Sequence, residues 1–456
     1  MRWSPFLGLL LALAPLGRAA QARPVAPELA CRQSPDARVC EGRQPDCALC
    51  HDGTPPELNR FGASIQQALH GLTPDRTEAG FVQWFGAAWV QAIQVDADGD
   101  GFRSIDELIR GTDPASAESV PDVERCGDGA CAYDPVHAFR RVHLDFCGTA
   151  PSWAELEAFR ALGEVEQRAR LHADLEVCLD TEYWRGIGGR VWHLADPKIR
   201  PINGFEESGF DFALFVYANT DDRDVRDLLT AEYDVMPVQE DGRTRYGRLA
   251  GDEAPIAYRI PAPHRAGMLT TPWFLIQQVM FSSLPRTAAA LAYRAYLGLD
   301  IARLQGLDPV VGEPVDYDAK GVTDPDCAFC HSTLDPLSYP FTRYHGLTGN
   351  NASYDPDRIA NFFAEEAPNI TDMPAAGVIL GERVETLQEW GRVASNSDYF
   401  AQNVVRDYWT LVLGAPPGPA DQAEFEALWR DLMTENAYRV EAMLHDLVDT
   451  EAYGAR

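Results

Sequence analysis

Apolar residues recur at three- and four-residue intervals through most of the chain, the period of a helix with one buried face. A short stripe runs through Ile65 and Leu69 and stops at His70-Gly71, and a second carries Trp84, Ala88, Trp89 and Ile93. From Val136 onward the helical pattern is nearly continuous. Ser152-Trp153-Ala154-Glu155 reads as a capping box ahead of Leu156 and Phe159, with a hydroxyl and a carboxylate placed to satisfy the first N–H groups of a helix. Leu171, Leu175, Cys178 and Leu179 form the next stripe. Phe400, Val404, Tyr408, Leu411 and Val412 stop at Gly414-Ala415-Pro416-Pro417, then Phe425, Leu428 and Leu432 resume, followed by Met443, Leu444, Leu447 and Val448. No long apolar/polar alternation marks extended strands. The predicted class is mainly α.

Met1 to Ala22 has the form of a secretory signal peptide: Arg2, an apolar core from Phe6 to Leu13, and the small-residue site Ala20-Gln21-Ala22. That core is too short for a membrane span, no later stretch is long enough for one, and no Cys adjoins the cleavage site to carry a lipid. The expected compartment is the periplasm or, after secretion, the cell surface. A chain of 456 residues has room for several domains. The expected division is a signal peptide over 1–22, an amino-terminal module over 23–120, a helical domain over 121–310 and a second chemistry-bearing domain over 311–456. Ser119 to Gly129, polar with Pro and Gly, is the expected linker. The formal net charge of −30 becomes −32 on loss of Arg2 and Arg18. Such a chain repels nucleic acid and anionic membranes and attracts cations or a basic redox partner, although plain solubility accounts for most of these charges.

The candidate chemistry lies in a repeated pentapeptide. Cys47-Ala48-Leu49-Cys50-His51 and Cys327-Ala328-Phe329-Cys330-His331 both fit C-x-x-C-H, the attachment signature of c-type haem. The thiols bond to the haem vinyl groups, and the adjacent His supplies the proximal iron ligand. A lone C-x-x-C would equally suit a redox dithiol or half a zinc site; the His after both copies, on an exported chain, favours two haems. For the sixth ligand of the first haem the local candidate is His70, since no Met lies between Met1 and Met236. A His in a last helical turn also suits the helix dipole without any ligand role. For the second haem Met373 leads, with His345, Met268, Met433 and Met443 behind it. Asp335 and Pro336 are expected to shape a loop beside that haem. A bis-His first centre and a His/Met second centre would put the second at higher potential, drawing electrons from first to second.

Asp96-Ala97-Asp98-Gly99-Asp100-Gly101-Phe102-Arg103-Ser104-Ile105-Asp106-Glu107 fits D-x-D-x-D-G-x₅-E without a gap. Calcium needs six to eight hard oxygens. Here Asp96, Asp98 and Asp100 offer carboxylates, Phe102 its carbonyl, Ser104 a water-mediated contact and Glu107 a bidentate carboxylate, while Gly101 permits the sharp turn. Six further Cys remain. Local pairing would join Cys31 to Cys40 and Cys126 to Cys131, leaving Cys147 for Cys178; buried free thiols are the alternative.

Several of these segments resemble known families. The Asp-rich loop followed by Gly111-Thr112-Asp113-Pro114 resembles thrombospondin type 3 repeats. With the first haem motif and Leu58-Asn59-Arg60-Phe61-Gly62 it resembles small exported temptin-like or cytochrome-like modules. Phe139 to Ser152, Asp227 to Tyr233, Arg265 to Thr271, Ser283-Leu284-Pro285-Arg286-Thr287, and Cys327 through Phe341 resemble, in that order, the motifs of planctomycete-type exported cytochrome c families over residues 136–455. Cys147 and Ser338 depart from that pattern. The resemblance implies a multi-domain c-type cytochrome with a small calcium-binding haem module at its start. The chain carries no P-loop, G-x-S-x-G or nucleotide-binding glycine pattern, so electron transfer is the leading function. A di-haem oxidoreductase such as a peroxidase, and a calcium-dependent surface binding or assembly protein, are the alternatives.

Overall fold

The computed structural model describes residues 25–34, 37–40, 45–52, 57–72, 77–100, 102–119, 133–202, 208–249, 260–348 and 351–455. The expected signal peptide, nearly all of the expected linker, Gly101 and the Cys126–Cys131 pairing lie outside the described residues. Helix accounts for 58% and strand for 7%, which bears out a mainly α chain. Among the described residues the strands form three two-stranded antiparallel hairpins, and no helix is long and apolar enough to cross a membrane.

The amino-terminal region holds α1 (Ala26–Gln33), α2 (Arg60–Leu72), α3 (Glu78–Ala92) and α4 (Ser104–Arg110). The expected stripe on α3 is its packing face: Ala88, Trp89 and Ile93 are buried, and Trp89 meets Phe61 of α2 edge-on at 5.4 Å. The Trp89 indole N–H donates to Ser34 Oγ at 2.9 Å, which fixes the end of α1, and the Cys31–Cys40 disulfide closes the turn beyond it.

The long helical region begins with α5 (Pro135–Phe146), α6 (Trp153–Arg160) and α7 (Glu164–Leu179). Asp134 caps α5, and both halves of the Ser152–Glu155 capping box form. Leu171, Leu175, Cys178 and Leu179 are buried, and Cys147–Cys178 joins the end of α5 to α7. Next come α8 (Glu182–Arg185), α9 (Arg190–Ile199), α10 (Ser208–Ala218), α11 (Asp227–Thr230) and the hairpin β1 (Val235–Glu240)–β2 (Arg243–Arg248). Then follow α12 (Pro272–Gln278), α13 (Arg286–Leu297), α14 (Pro325–Ser338), the hairpin β3 (Tyr344–Thr348)–β4 (Asn351–Tyr354), α15 (Arg358–Phe362) and the hairpin β5 (Gly377–Ile379)–β6 (Glu382–Val384). The chain closes with α16 (Leu387–Ser395), α17 (Asp398–Leu413), α18 (Gln422–Met433), α19 (Val440–Val448) and α20 (Glu451–Gly454). Its end returns to α5: Arg141 donates to the Tyr453 carbonyl at 3.0 Å and the Val412 carbonyl at 2.9 Å, and Tyr133 to the Val448 carbonyl at 3.0 Å. One hydrophobic cluster runs from Ala30 to Tyr453, with Trp184, Trp273, Trp390 and Trp409 fully buried in it.

One core carboxyl carries a pH consequence. Asp211 of α10 is buried and accepts from Thr271 Oγ1 at 2.6 Å. Burial pushes its pKa up to about 8, against the hydrogen bonds that would lower it. The folded state therefore holds a proton there that the unfolded chain releases near pH 4, and stability falls as pH rises between about 4 and 8. Asp211→Asn should remove that slope, so the variant's advantage over wild type grows from pH 5 to pH 8. Urea midpoints at the two pH values check this; equal pH dependence would contradict it.

Candidate functional site

The first pentapeptide begins in a single 3-10 turn, Cys47–Leu49, capped by Asp46, whose carboxylate accepts from the Ala48 N–H at 2.6 Å. Cys47 is exposed and Cys50 half-buried. Asn59 ties this turn to α2. Its amide donates to the carbonyls of Ala48 and Leu49 at 3.0 and 3.1 Å, and its Oδ1 accepts from the Gly62 N–H at 2.8 Å. Gly62 lies so close to the motif that a Cβ there would fall 1.9 Å from the Cys50 carbonyl oxygen. Gly62→Ala should therefore push α2 off the motif and cost about 1–3 kcal/mol. Thermal melting and urea unfolding check this; wild-type stability by both would contradict it.

His51 Nδ1 lies 3.0 Å from the Glu57 carbonyl oxygen. A carbonyl can only accept, so Nδ1 carries a proton, and in the neutral ring Nε2 carries the lone pair. That is the tautomer an iron ligand requires, with Nε2 given no hydrogen bond among the described residues.

The second pentapeptide lies in α14, where Asp324 caps the first turn and Pro325 occupies the first helical position. Cys327 is exposed, and Cys330 and His331 are half-buried. Asp335 and Pro336 are not in a loop, as Asp-Pro suggested; both stand inside this helix. The physical reason is visible one turn back. Pro336 cannot donate to the Ser332 carbonyl, and the Val310 N–H takes that carbonyl instead at 3.0 Å. The helix therefore runs on, and its geometry places Asp335 on the same face as His331. His331 Nδ1 lies 2.8 Å from Asp335 Oδ1. Arg286, in the first turn of α13, grips Asp335 with Nε at 2.6 Å and Nη2 at 2.8 Å, and Asp318 with Nη1 at 2.6 Å and Nη2 at 3.0 Å. Burial would raise the Asp335 pKa, but hydrogen bonds from Arg286 and His331 outweigh it and hold the carboxyl below its usual range. Gly377 of β5 seals the other side of the helix, where a Cβ would lie 2.3 Å from the Pro336 carbonyl oxygen.

The two motifs belong to connected packing. Trp84 of α3 lies against Phe329 inside the second motif at 5.2 Å between ring centroids, and the Gln91 amide donates to the Leu307 carbonyl at 2.7 Å. Thus α3, packed on the α2 that seats the first motif, also touches the second.

His70 is exposed in the last turn of α2, near the negative end of the helix dipole. Met373 is half-buried at the end of a 3-10 turn, four residues before Gly377. Met268 and Met443 are buried in the core, and His345 sits in β3 with Nε2 3.5 Å from Asp355 Oδ2.

The Asp-rich segment gathers three carboxylates. One carboxylate ligand atom from each of Asp96, Asp98 and Asp100 lies within 4.8 Å of the others. Asp96, Asp98 and Asp100 each accept, through Oδ1, the N–H of Gly99, Asp100 and Phe102. Asp98 Oδ2, Asp100 Oδ2 and both oxygens of Glu107 are buried without a hydrogen-bond partner. Burial first, then Asp98, Asp100 and Asp96, push Glu107 up to about 8. Orphaned buried carboxylate oxygens beside other carboxylates are what a cation would satisfy, and all-oxygen donors suit calcium. Ser104 is buried and donates its hydroxyl to the Val95 carbonyl at 3.0 Å, bracing the two ends of the loop. Arg60 reaches from α2 to the Asp98 carbonyl at 2.6 Å, so the acidic loop and the first motif share that helix.

Sequence reasoning did not assign roles to Arg286, Asp318, Val310 and the Trp84–Phe329 contact. Arg286 stood inside a family-like segment, which was the one available signal; the rest depends on pairings across long sequence separation. No protein-family model, curated protein or solved structure matches the chain.

Proposed function

We propose that the chain is an exported di-haem c-type cytochrome of the planctomycete-like kind that carries electrons, with calcium bracing its first haem module. The observation that carries this reading is how the described cysteines divide. Cys31–Cys40 and Cys147–Cys178 are disulfides, whereas the four free thiols are Cys47, Cys50, Cys327 and Cys330, the motif cysteines. In an oxidising compartment, C-x-x-C thiols left unpaired beside formed disulfides need another bonding partner, and the haem vinyl groups provide one. Both motif histidines also have Nδ1 engaged, which leaves Nε2 for iron.

Bound haem would supply iron that gains and loses one electron without rearranging its ligands. The residues of this chain do the rest. Asn59 and Gly62 hold the first motif against α2, Glu57 and Asp335 orient the two imidazoles, and Trp84 keeps the amino-terminal helices on the second motif. Such a scaffold keeps both sites fixed relative to one another, as a relay needs. The acidic surface favours a basic redox partner.

A second reading, a di-haem oxidoreductase such as a peroxidase, is favoured by one feature: the buried carboxylate behind His331 increases electron donation from that ligand, which favours O–O cleavage at an open iron. Optical and EPR spectra with and without peroxide separate the two. Two low-spin ferric signals unaffected by peroxide are expected for the carrier. A high-spin ferric signal that changes with peroxide would replace it with the enzyme.

A further inference from the structure

The two motif histidines differ in what stands behind them. His51 Nδ1 faces the neutral carbonyl oxygen of Glu57 at 3.0 Å, whereas His331 Nδ1 faces the carboxylate of Asp335 at 2.8 Å. Asp335 is 0% exposed, Asp318 3% and Arg286 15%, so the ion cluster is nearly closed to water. One guanidinium against two carboxylates leaves one net negative charge behind the second imidazole. In a low-dielectric setting that charge acts far more strongly than it would in water. A carboxylate accepting from Nδ1 makes Nε2 a stronger donor, and net negative charge near the iron favours the ferric state. A neutral carbonyl does less of both.

Resting on the di-haem reading above, we propose that Asp335, held by Arg286 and Asp318, places the second haem at the lower reduction potential, so that the first electron added to the protein settles on the first haem. This order is opposite to the one that a Met ligand on the second haem would give by itself. Asp335 acts through His331 and is a positioning residue. It fixes the tautomer and ring plane as well as the charge. Arg286 has a matching part: it keeps the carboxylate in place while leaving the cluster one negative charge in excess.

The test is a potentiometric titration of the holoprotein followed in the visible band. The midpoints are assigned by comparison with the double variant Cys47→Ser, Cys50→Ser, which lacks the first attachment site. The lower midpoint should belong to the haem that this variant retains. Asp335→Asn should raise that midpoint, lowering the ferric-to-ferrous ratio of the second haem at fixed potential by about tenfold, and should move its low-spin EPR g-values while the first haem stays unchanged. Asp318→Asn keeps the His331–Asp335 contact and removes one charge, so it should shift the same midpoint in the same direction by less. If Asp335→Asn fails to retain haem, Asp318→Asn decides the matter. A second haem at equal or higher potential than the first, or unmoved midpoints in a fully loaded variant, would overturn the inference alone. Absence of covalent haem at Cys327 and Cys330 would remove the di-haem reading and the inference with it.

Discussion

Arg286→Met is expected to destabilise the protein by about 3–5 kcal/mol, the cost of leaving a buried charge without its partner. Arg286 is the shared counter-ion of Asp335 and Asp318, both nearly closed to water, and makes four contacts of 2.6–3.0 Å with them. Met matches the aliphatic stem and removes every donor. Asp335 would keep only its contact with His331, and Asp318 would lose the guanidinium entirely. Charge explains the size of the loss better than lost packing does, and the two can be separated. Adding Asp318→Asn to Arg286→Met removes one stranded charge and should recover part of the stability. Urea unfolding of both variants measures this. A loss below about 1 kcal/mol, the range of an exposed ion pair, would show that the cluster is hydrated.

Removing divalent cations should lower the thermal stability of the amino-terminal region, and more so at pH 8 than at pH 5. Without a cation, Glu107 folds as the neutral acid, its pKa pushed up to about 8 by burial and by its neighbours. A raised carboxyl pKa stabilises the fold fully below the unfolded value, and that contribution is lost as pH rises through the folded value. The metal-free protein should thus weaken between about pH 4.5 and pH 8. A bound cation requires the carboxylate form and reverses the trend. At calcium one hundredfold above its dissociation constant the added stability is about 2.7 kcal/mol. Glu107→Gln should abolish the calcium response and, without metal, outlast wild type at pH 8. Melting curves with calcium and with chelator check this; curves that coincide at both pH values would contradict it.

Local physical chemistry made much of this legible in advance. The α7 stripe and the Ser152–Glu155 capping box depend on residues three and four apart, and both formed as the pattern indicated. Cys31–Cys40 followed from short spacing, and Cys147–Cys178 was the pair left once the motif cysteines and a local Cys126–Cys131 pairing were set aside. Asp335-Pro336 shows where local reasoning stops. Asp-Pro is a turn signal, yet the Val310 N–H, twenty-two residues before the Ser332 carbonyl it satisfies, lets the helix continue. Arg286 shows the same limit at a longer separation. Nothing within its own segment indicates that its guanidinium sits between two buried carboxylates beside His331. The loop carboxylates were legible because one continuous spacing specifies them; the use of the Ser104 hydroxyl on Val95 was not, because it depends on how the loop closes.

The most direct test of the account is the covalent state of the four motif cysteines. The full chain, produced in a host with c-type haem maturation, should yield an exported protein whose intact mass includes two haems. Its digest should place one on the peptide with Cys47 and Cys50 and the other on the peptide with Cys327 and Cys330. A haem-free chain, with each pair present as dithiol, disulfide or zinc thiolate, would contradict the account.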